Sequence, residues 1–242
     1  MANVVLLNND DHATLKVMPA QGAAFGDAIN QALIFPTEFE DVQRDYAILF
    51  RSDDALAPYP VALLGLDRDE NLFLDAAGWN ARYVPALQRR GPFSIGVPRA
   101  QGGGAGAGEP MIHVDLDDAR VGRDDGLPLF LEHGGQAPYL DHVAAVLRVI
   151  YTGIEAQAPM LAAFAAADLL EPAAIDIDLG DGLRYDLPDV LAITPERIAR
   201  LDGAAVQALH RSGFLPHAIH AASSLGNINR LIDLKLRRGT GA

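Results

Sequence analysis

The sequence predicts an α+β fold: a β-rich N-terminal half of short antiparallel strands, then a helical C-terminal half carrying one β-hairpin. Three observations predict it. Up to Leu131 the apolar residues come in short runs broken by Asn, Asp, Gly and Pro, as in a meander of strands. From Pro138 onward Leu140, Val143, Ala144, Leu147, Ile150 and Ile154 recur at helical spacing. Between Ala173 and Leu187 apolar and acidic residues alternate on either side of Gly180-Asp181-Gly182, the pattern of a hairpin. The change of character at Pro138 divides the chain into residues 1–137 and 138–242, and the lack of a long linker predicts that the halves share one core.

In the first half, Val4–Leu7 reads as a strand, Asn8–Asp11 as a polar turn and Leu15–Met18 as an extended piece closed by Pro19. Phe25, Ala28, Ile29 and Leu33 have weakly helical spacing. Tyr46–Phe50 and Tyr59–Leu66 are strands, and the second leads into residues 63–97, which hold the single tryptophan. There Asp67–Asn71 should reverse the chain so that Leu72–Leu74 pairs back on Leu63–Leu66. After a turn at Asp75–Gly78, the spacing of Trp79, Tyr83, Val84 and Leu87 predicts a helix that ends at Arg89-Arg90-Gly91. Phe93–Val97 and Met111–Leu116 are strands on either side of a glycine-rich loop at 101–108. That loop lacks the Lys-Ser/Thr of a phosphate-binding loop. Asp117–Asp125 is an acidic turn region, and Leu127–Leu131 a last apolar piece.

In the second half the helix begun at Pro138 should run through Gln157, with Pro159 beginning or kinking a second helix over Met160–Leu170. Val190–Ile193 follows the 173–187 hairpin as a short strand. Thr194-Pro195-Glu196 is a helix start, with a capping hydroxyl, proline at the first helical position and an acid in the first turn. Ala204–Arg211 is the next helix, stopped by Gly213. Residues 214–238 are helical with a bend near Ser223–Asn227.

Composition excludes several function classes. The chain has 242 residues, with 19 Lys and Arg against 32 Asp and Glu, a formal net charge of −13. Such a surface repels phosphate backbones and anionic lipid, which argues against nucleic acid as a partner. No cysteine is present, so disulfides, thiolate metal sites and thiol nucleophiles are excluded. No apolar run approaches the roughly 18 residues of a membrane span. The start MANVVLLNNDDHATL has neither a basic segment nor a long apolar one, and so is not read as a secretion signal. A cytoplasmic protein without membrane insertion is the default expectation.

Three groups of residues carry a family resemblance. They are Asn71-Leu72-Phe73-Leu74-Asp75 continuing through Gly78-Trp79-Asn80, Arg82-Tyr83, Pro85, Arg89-Arg90 and Pro92-Phe93; Pro36-Thr37-Glu38-Phe39 followed by Tyr46–Phe50, with Ala47 where a proline is usual; and Leu209, Gly213, Leu215, His220, Ser223 or Ser224, Leu225, Asn227 and Leu231. Together they resemble the bacterial SapC family, named for a surface-layer-associated protein. The resemblance implies a binding or assembly protein linked to the surface layer or envelope, with a protein or small molecule as partner and no cofactor. It makes the cell surface a second candidate location.

Two sets of side chains are candidates for chemistry. Trp79 and Tyr83, with Glu38, Asp75, Arg82 and Arg90 as polar lining, would form a ligand site if a pocket lies beside the tryptophan. Core packing of the aromatics and an ion pair between Glu38 and Arg82 are the simpler alternative. His113 and Asp115, two apart on a strand, share a face. With His220 (or His217) they would make the two-histidine, one-carboxylate site of an Fe(II)/2-oxoglutarate oxygenase, with Arg230 holding the 2-oxoglutarate carboxylate. Against that, His217 and His220 lie in a predicted helix rather than on a strand. Asp176, Asp178, Asp181 and Asp186 alternate along the hairpin and read as a solvated face.

Overall fold

The computed structural model describes residues 3–53, 56–96, 110–180 and 183–239. The predicted glycine-rich loop, Val97 and two residues of the hairpin turn, 181 and 182, lie outside them. Seven α-helices occur among the described residues: α1 (Phe39–Val42), α2 (Ala86–Arg89), α3 (Pro138–Ala166), α4 (Pro195–Ala199), α5 (Gly203–Arg211), α6 (Leu215–Ser224) and α7 (Asn227–Gly239). The short strands are all paired antiparallel. The fold is therefore α+β. No helix among the described residues is long and apolar enough to cross a membrane.

The chain groups into two compact units, each discontinuous in sequence: Met1–Gln21 with Ala86–Tyr151, and Gly22–Pro85 with Thr152–Ala242. Pro138 falls inside the first unit. In that unit Met111–Asp115 is the central strand of a three-stranded sheet, between Val4–Leu6 and Phe93–Gly96. A smaller sheet pairs Lys16–Val17 with Val121–Gly122 and Leu127–Pro128. The N-terminal part of α3 buries Leu140, Val143, Val146, Leu147 and Ile150 at the spacing that predicts its helix.

The second unit is built on a five-stranded sheet in the order Glu171–Pro172, Val190–Ala192, Ile48–Asp53, Leu56–Leu63, Gln31–Leu33. Its centre explains one sequence feature. Tyr46 to Phe50 are all buried with no polar alternation, because this stretch is covered on both faces. Phe50 meets Phe39 of α1 and Phe164 of α3 edge-on, with centroids 6.3 and 6.1 Å apart. The Ile48 amide donates to Ser224 Oγ of α6 at 2.8 Å, and that hydroxyl donates to the Ala221 carbonyl. One proline and one acid set the approach to α1. Pro36 starts a 3₁₀ turn, and Glu38, wholly buried, accepts the Phe35 amide at 2.9 Å.

Four expectations are corrected. The helix predicted from Trp79 does not form there: Gly78–Trp79 pairs with Leu74–Asp75 as a two-residue ladder, and only Ala86–Arg89 is helical. The helical spacing is outweighed by hydrogen bonds that Trp79, Arg82 and Tyr83 make to Asp45 and Tyr46. Leu72–Leu74 is not a hairpin arm on Leu63–Leu66; Leu72 alone donates, to the Leu64 carbonyl at 2.8 Å. The weak helix at 25–35 is replaced by strand Gln31–Leu33, paired with Val61–Leu63. Pro159 starts no new helix, since α3 continues through it. It sits on the exposed side, one turn after exposed Glu155, where the carbonyl that loses its partner faces water.

Gly153, in the part of α3 that belongs to the second unit, lies against Phe35 and Thr37. A Cβ there would lie 2.3 Å from Phe35 Cβ and 2.7 Å from Thr37 Oγ1. Gly153→Ala therefore should destabilise the protein by about 1–3 kcal/mol through overpacking, despite the better helix propensity of alanine. Urea unfolding measures it; an unchanged midpoint contradicts the close packing.

Candidate functional site

Asp45 and Tyr46, adjacent in sequence and both fully buried, stand just before the central strand of the second unit. The Tyr46 hydroxyl accepts Trp79 Nε1–H at 2.7 Å and donates to the Tyr83 carbonyl at 2.5 Å. Its ring meets Phe73 edge-on, with centroids 4.6 Å apart. Burial raises the Tyr46 phenol above its ordinary value, so it stays a neutral donor and acceptor. Asp45 accepts the Arg82 amide at 3.0 Å and holds the Arg230 guanidinium of α7, while Arg82 Nε lies 3.6 Å away. Asn227, at the start of α7, donates to the carbonyls of Gln43 and Tyr46 at 2.8 and 3.0 Å. Two consecutive residues thus fix both the 73–83 segment and α7.

Between these two lies a cleft of about 470 Å³, within the range of small-ligand sites. Leu72, Phe73 and Leu234 give it apolar surface. Asn80, Arg230, Arg237 and Arg238 supply donors, and Asp75 and Asp233 are its acids. Arg230 lies over the Phe73 ring, 5.5 Å from the centroid. Arg238 donates to the Leu74 carbonyl, tying the last turn of α7 to the small ladder. Arg237 and Arg238 also sit where the helix macrodipole favours cations. Lys235 anchors the neighbouring side of α7. Burial alone would lower its pKa, but the hydrogen bonds it donates to Asp67 and Glu70 outweigh that and raise it.

The predicted ligand residues divide among different tasks. Glu38, Trp79 and Tyr83 belong to one hydrogen-bonded chain, because the Tyr83 hydroxyl donates to Glu38 Oε1 at 3.0 Å and Trp79 reaches Tyr83 through Tyr46. Only Asp75 lines the cleft. Arg82 has its ion pair with Asp45, correcting the expected pairing with Glu38. Arg90 belongs to the other unit, where it donates to the Phe93 carbonyl. Asp45, Tyr46, Arg237 and Arg238 were not singled out from the sequence. Residues 230, 233, 234, 237 and 238 do recur at i, i+3, i+4, i+7 and i+8, the signature of one helical face.

The iron reading is not supported. Among the described residues no three His, Asp or Glu side chains are grouped so as to hold a metal ion. Asp115 Oδ1 instead accepts the Asn3 and Asp117 amides at 3.0 and 3.1 Å, which closes a strand and a turn. The His113 ring covers Gly96 of the paired strand. His220 is on α6, as its spacing predicts, and Arg230 is taken by Asp45. Of the hairpin aspartates, Asp176, Asp178 and Asp186 are exposed, with Arg184 reaching the first two at 3.7 and 3.4 Å, and Asp181 lies outside the described residues.

Two measurements check this geometry. Tyr46→Phe keeps the ring and removes the hydroxyl that Trp79 and Tyr83 both use. It should cost about 1–3 kcal/mol and shift the fluorescence of the single tryptophan. Unchanged stability and emission would contradict the network. The second is a pH test. His217 packs between Phe39 and Phe214, with centroids 5.8 and 5.7 Å away, and burial lowers its pKa from the ordinary 6.5. The unfolded chain then takes the proton more readily, so this contribution is complete above pH 6.5 and declines as pH falls towards the folded value. His217→Leu should flatten the loss of stability as pH falls below 6.5; an unaltered acid limb would contradict it.

The SapC family model matches residues 7–231 of the chain. No curated protein and no solved structure matches it. The match takes in the Pro36–Phe39 motif, the 71–93 segment and α7 as far as Leu231, and so all of Asp45, Tyr46 and the residues that Asp45 and Tyr46 hold. The chain belongs to the SapC family.

Proposed function

We propose that this SapC-family chain is a binding or assembly protein whose working surface is the cleft between α7 and the 72–80 segment. The observation that carries the reading is the convergence of Arg230, Arg237 and Arg238 on one concave site with an apolar floor, in a chain of net charge −13. Donors on a rigid helix facing buried aromatic surface are the make-up of a recognition site. The acids Asp75 and Asp233 on the same walls favour a partner with charges of both signs, such as a peptide segment, over a bare polyanion. The setting that fits the family's name is the cell envelope or its surface layer.

Co-sedimentation with isolated envelope fragments tests it. The wild-type chain should pellet with the fragments, and the doubly substituted Arg237→Glu, Arg238→Glu chain should bind at least tenfold more weakly. Both substitutions fall in the last turn of α7, and circular dichroism of the substituted chain checks that it stays folded. No pelleting of the wild type, or equal pelleting of the two, overturns the reading.

A further inference from the structure

A second cavity lies within the first unit, between α3 and the antiparallel strands Phe93–Gly96 and Met111–Asp115. It measures about 300 Å³, at the lower end of the range for small-ligand sites. Ile95 and Ile112, directly opposite each other in the ladder, form one wall with Pro110. Ala144, Leu147, Arg148 and Tyr151 form the other, and their i, i+3, i+4, i+7 spacing is that of one helical face. No acidic side chain among the described residues lines it.

The sequence explains the opening. Leu140, Val143, Leu147 and Ile150 fill the core side of α3. Ala144 falls on the same stripe but carries only a methyl group, so it leaves space against the two isoleucines that a leucine would fill. The walls are chiefly hydrocarbon, which offers water few hydrogen bonds and an alkyl chain a large contact area. Arg148 is the one charged group in the lining. It is exposed, and its guanidinium makes no ion pair or hydrogen bond among the described residues. No acid lies three or four residues from it on α3, where Ala144, Ala145, Tyr151 and Thr152 stand. The formal net charge of −13 is screened over roughly 8 Å at physiological ionic strength, so the local arginine sets the sign at the cavity mouth.

We infer that this cavity binds one molecule of a medium-chain fatty acid, with the alkyl chain between Ile95, Ile112 and Leu147 and the carboxylate on Arg148. The planar guanidinium matches a carboxylate through two parallel hydrogen bonds. Because Arg148 is exposed, the head group stays partly hydrated and escapes the cost of burying a charge. A space of this size admits a single alkyl chain rather than a two-chain lipid. The site lies wholly in the first unit and does not depend on the cleft of the second.

The test is titration with octanoate, below its micelle-forming concentration, and separately with octanol, which has the same chain and no charge. NMR of the isoleucine methyl groups follows both. One equivalent of octanoate should bind saturably and move the Ile95 and Ile112 signals. Arg148→Gln should weaken octanoate at least tenfold and leave octanol unchanged. Ala144→Leu, which fills the cavity, should weaken both at least tenfold. Absence of saturable octanoate binding overturns the proposal, as does binding that leaves Ile95 and Ile112 unmoved or that Ala144→Leu does not weaken. So does equal weakening of the two probes by Arg148→Gln, or weakening of neither, since the carboxylate then has no part in binding. Binding lost in the doubly substituted Arg237→Glu, Arg238→Glu chain but kept in Arg148→Gln places the acid in the other cleft and also overturns it. If Ala144→Leu does not fold, the Arg148→Gln comparison and the isoleucine signals decide the outcome.

Discussion

The second unit depends on burying a charge beside a phenol. Asp45 and Tyr46 are completely removed from water, and neither is tolerable there unless its polar atoms are used. A buried carboxylate demands donors; it finds the Arg82 amide and the Arg230 guanidinium. A buried hydroxyl demands one donor and one acceptor, and it finds the Trp79 ring and the Tyr83 carbonyl. These demands come from two neighbouring residues, so they are met together. The 73–83 segment, whose regular structure is one two-residue ladder, is held to the sheet by side-chain bonds. Helix α7 is held by the same pair through Asn227 and Arg230. The cleft is the space left between two elements fixed to one point.

Much of the fold is legible in the sequence where periodicity meets clear punctuation. Thr194 caps α4, its hydroxyl accepting the Arg197 amide, and Pro195 takes the first helical position. The alternation at Ile175–Asp178 and Arg184–Leu187 gives the hairpin register. Gly213, in a left-handed conformation, stops α5. The break between α6 and α7 falls inside Ser223–Asn227. The failures share one cause. Trp79, Tyr83 and Leu87 have the spacing of a helix, but spacing counts only which faces agree, not which hydrogen bonds are already taken. Here Tyr46 and Asp45, distant in sequence, claim the tryptophan nitrogen, a carbonyl and an amide.

The candidate site was only partly legible for the same reason. Asp75 could be named because it sits in a motif, whereas Arg237 and Arg238 read as an ordinary basic helix end. Their meaning comes from Phe73 and Leu72 on the opposite wall. In this acid-rich chain the basic residues are nearly all arginines, and where they gather on one wall they are informative. At Arg230 the charge is matched by Asp45, and the side chain lies on Phe73. Arg120, almost fully buried, grips Asp118 with two of its nitrogens.

The claim that a buried carboxylate ties α7 to the sheet is tested most directly by a double-mutant cycle on Asp45→Asn and Arg230→Gln, followed by urea unfolding. The account predicts that the two changes are strongly non-additive, with a coupling of about 1–3 kcal/mol, because each single change leaves the other group without its partner. Additive effects, with coupling near zero, would mean that α7 is held by apolar packing alone, and the central place given to Asp45 would be wrong.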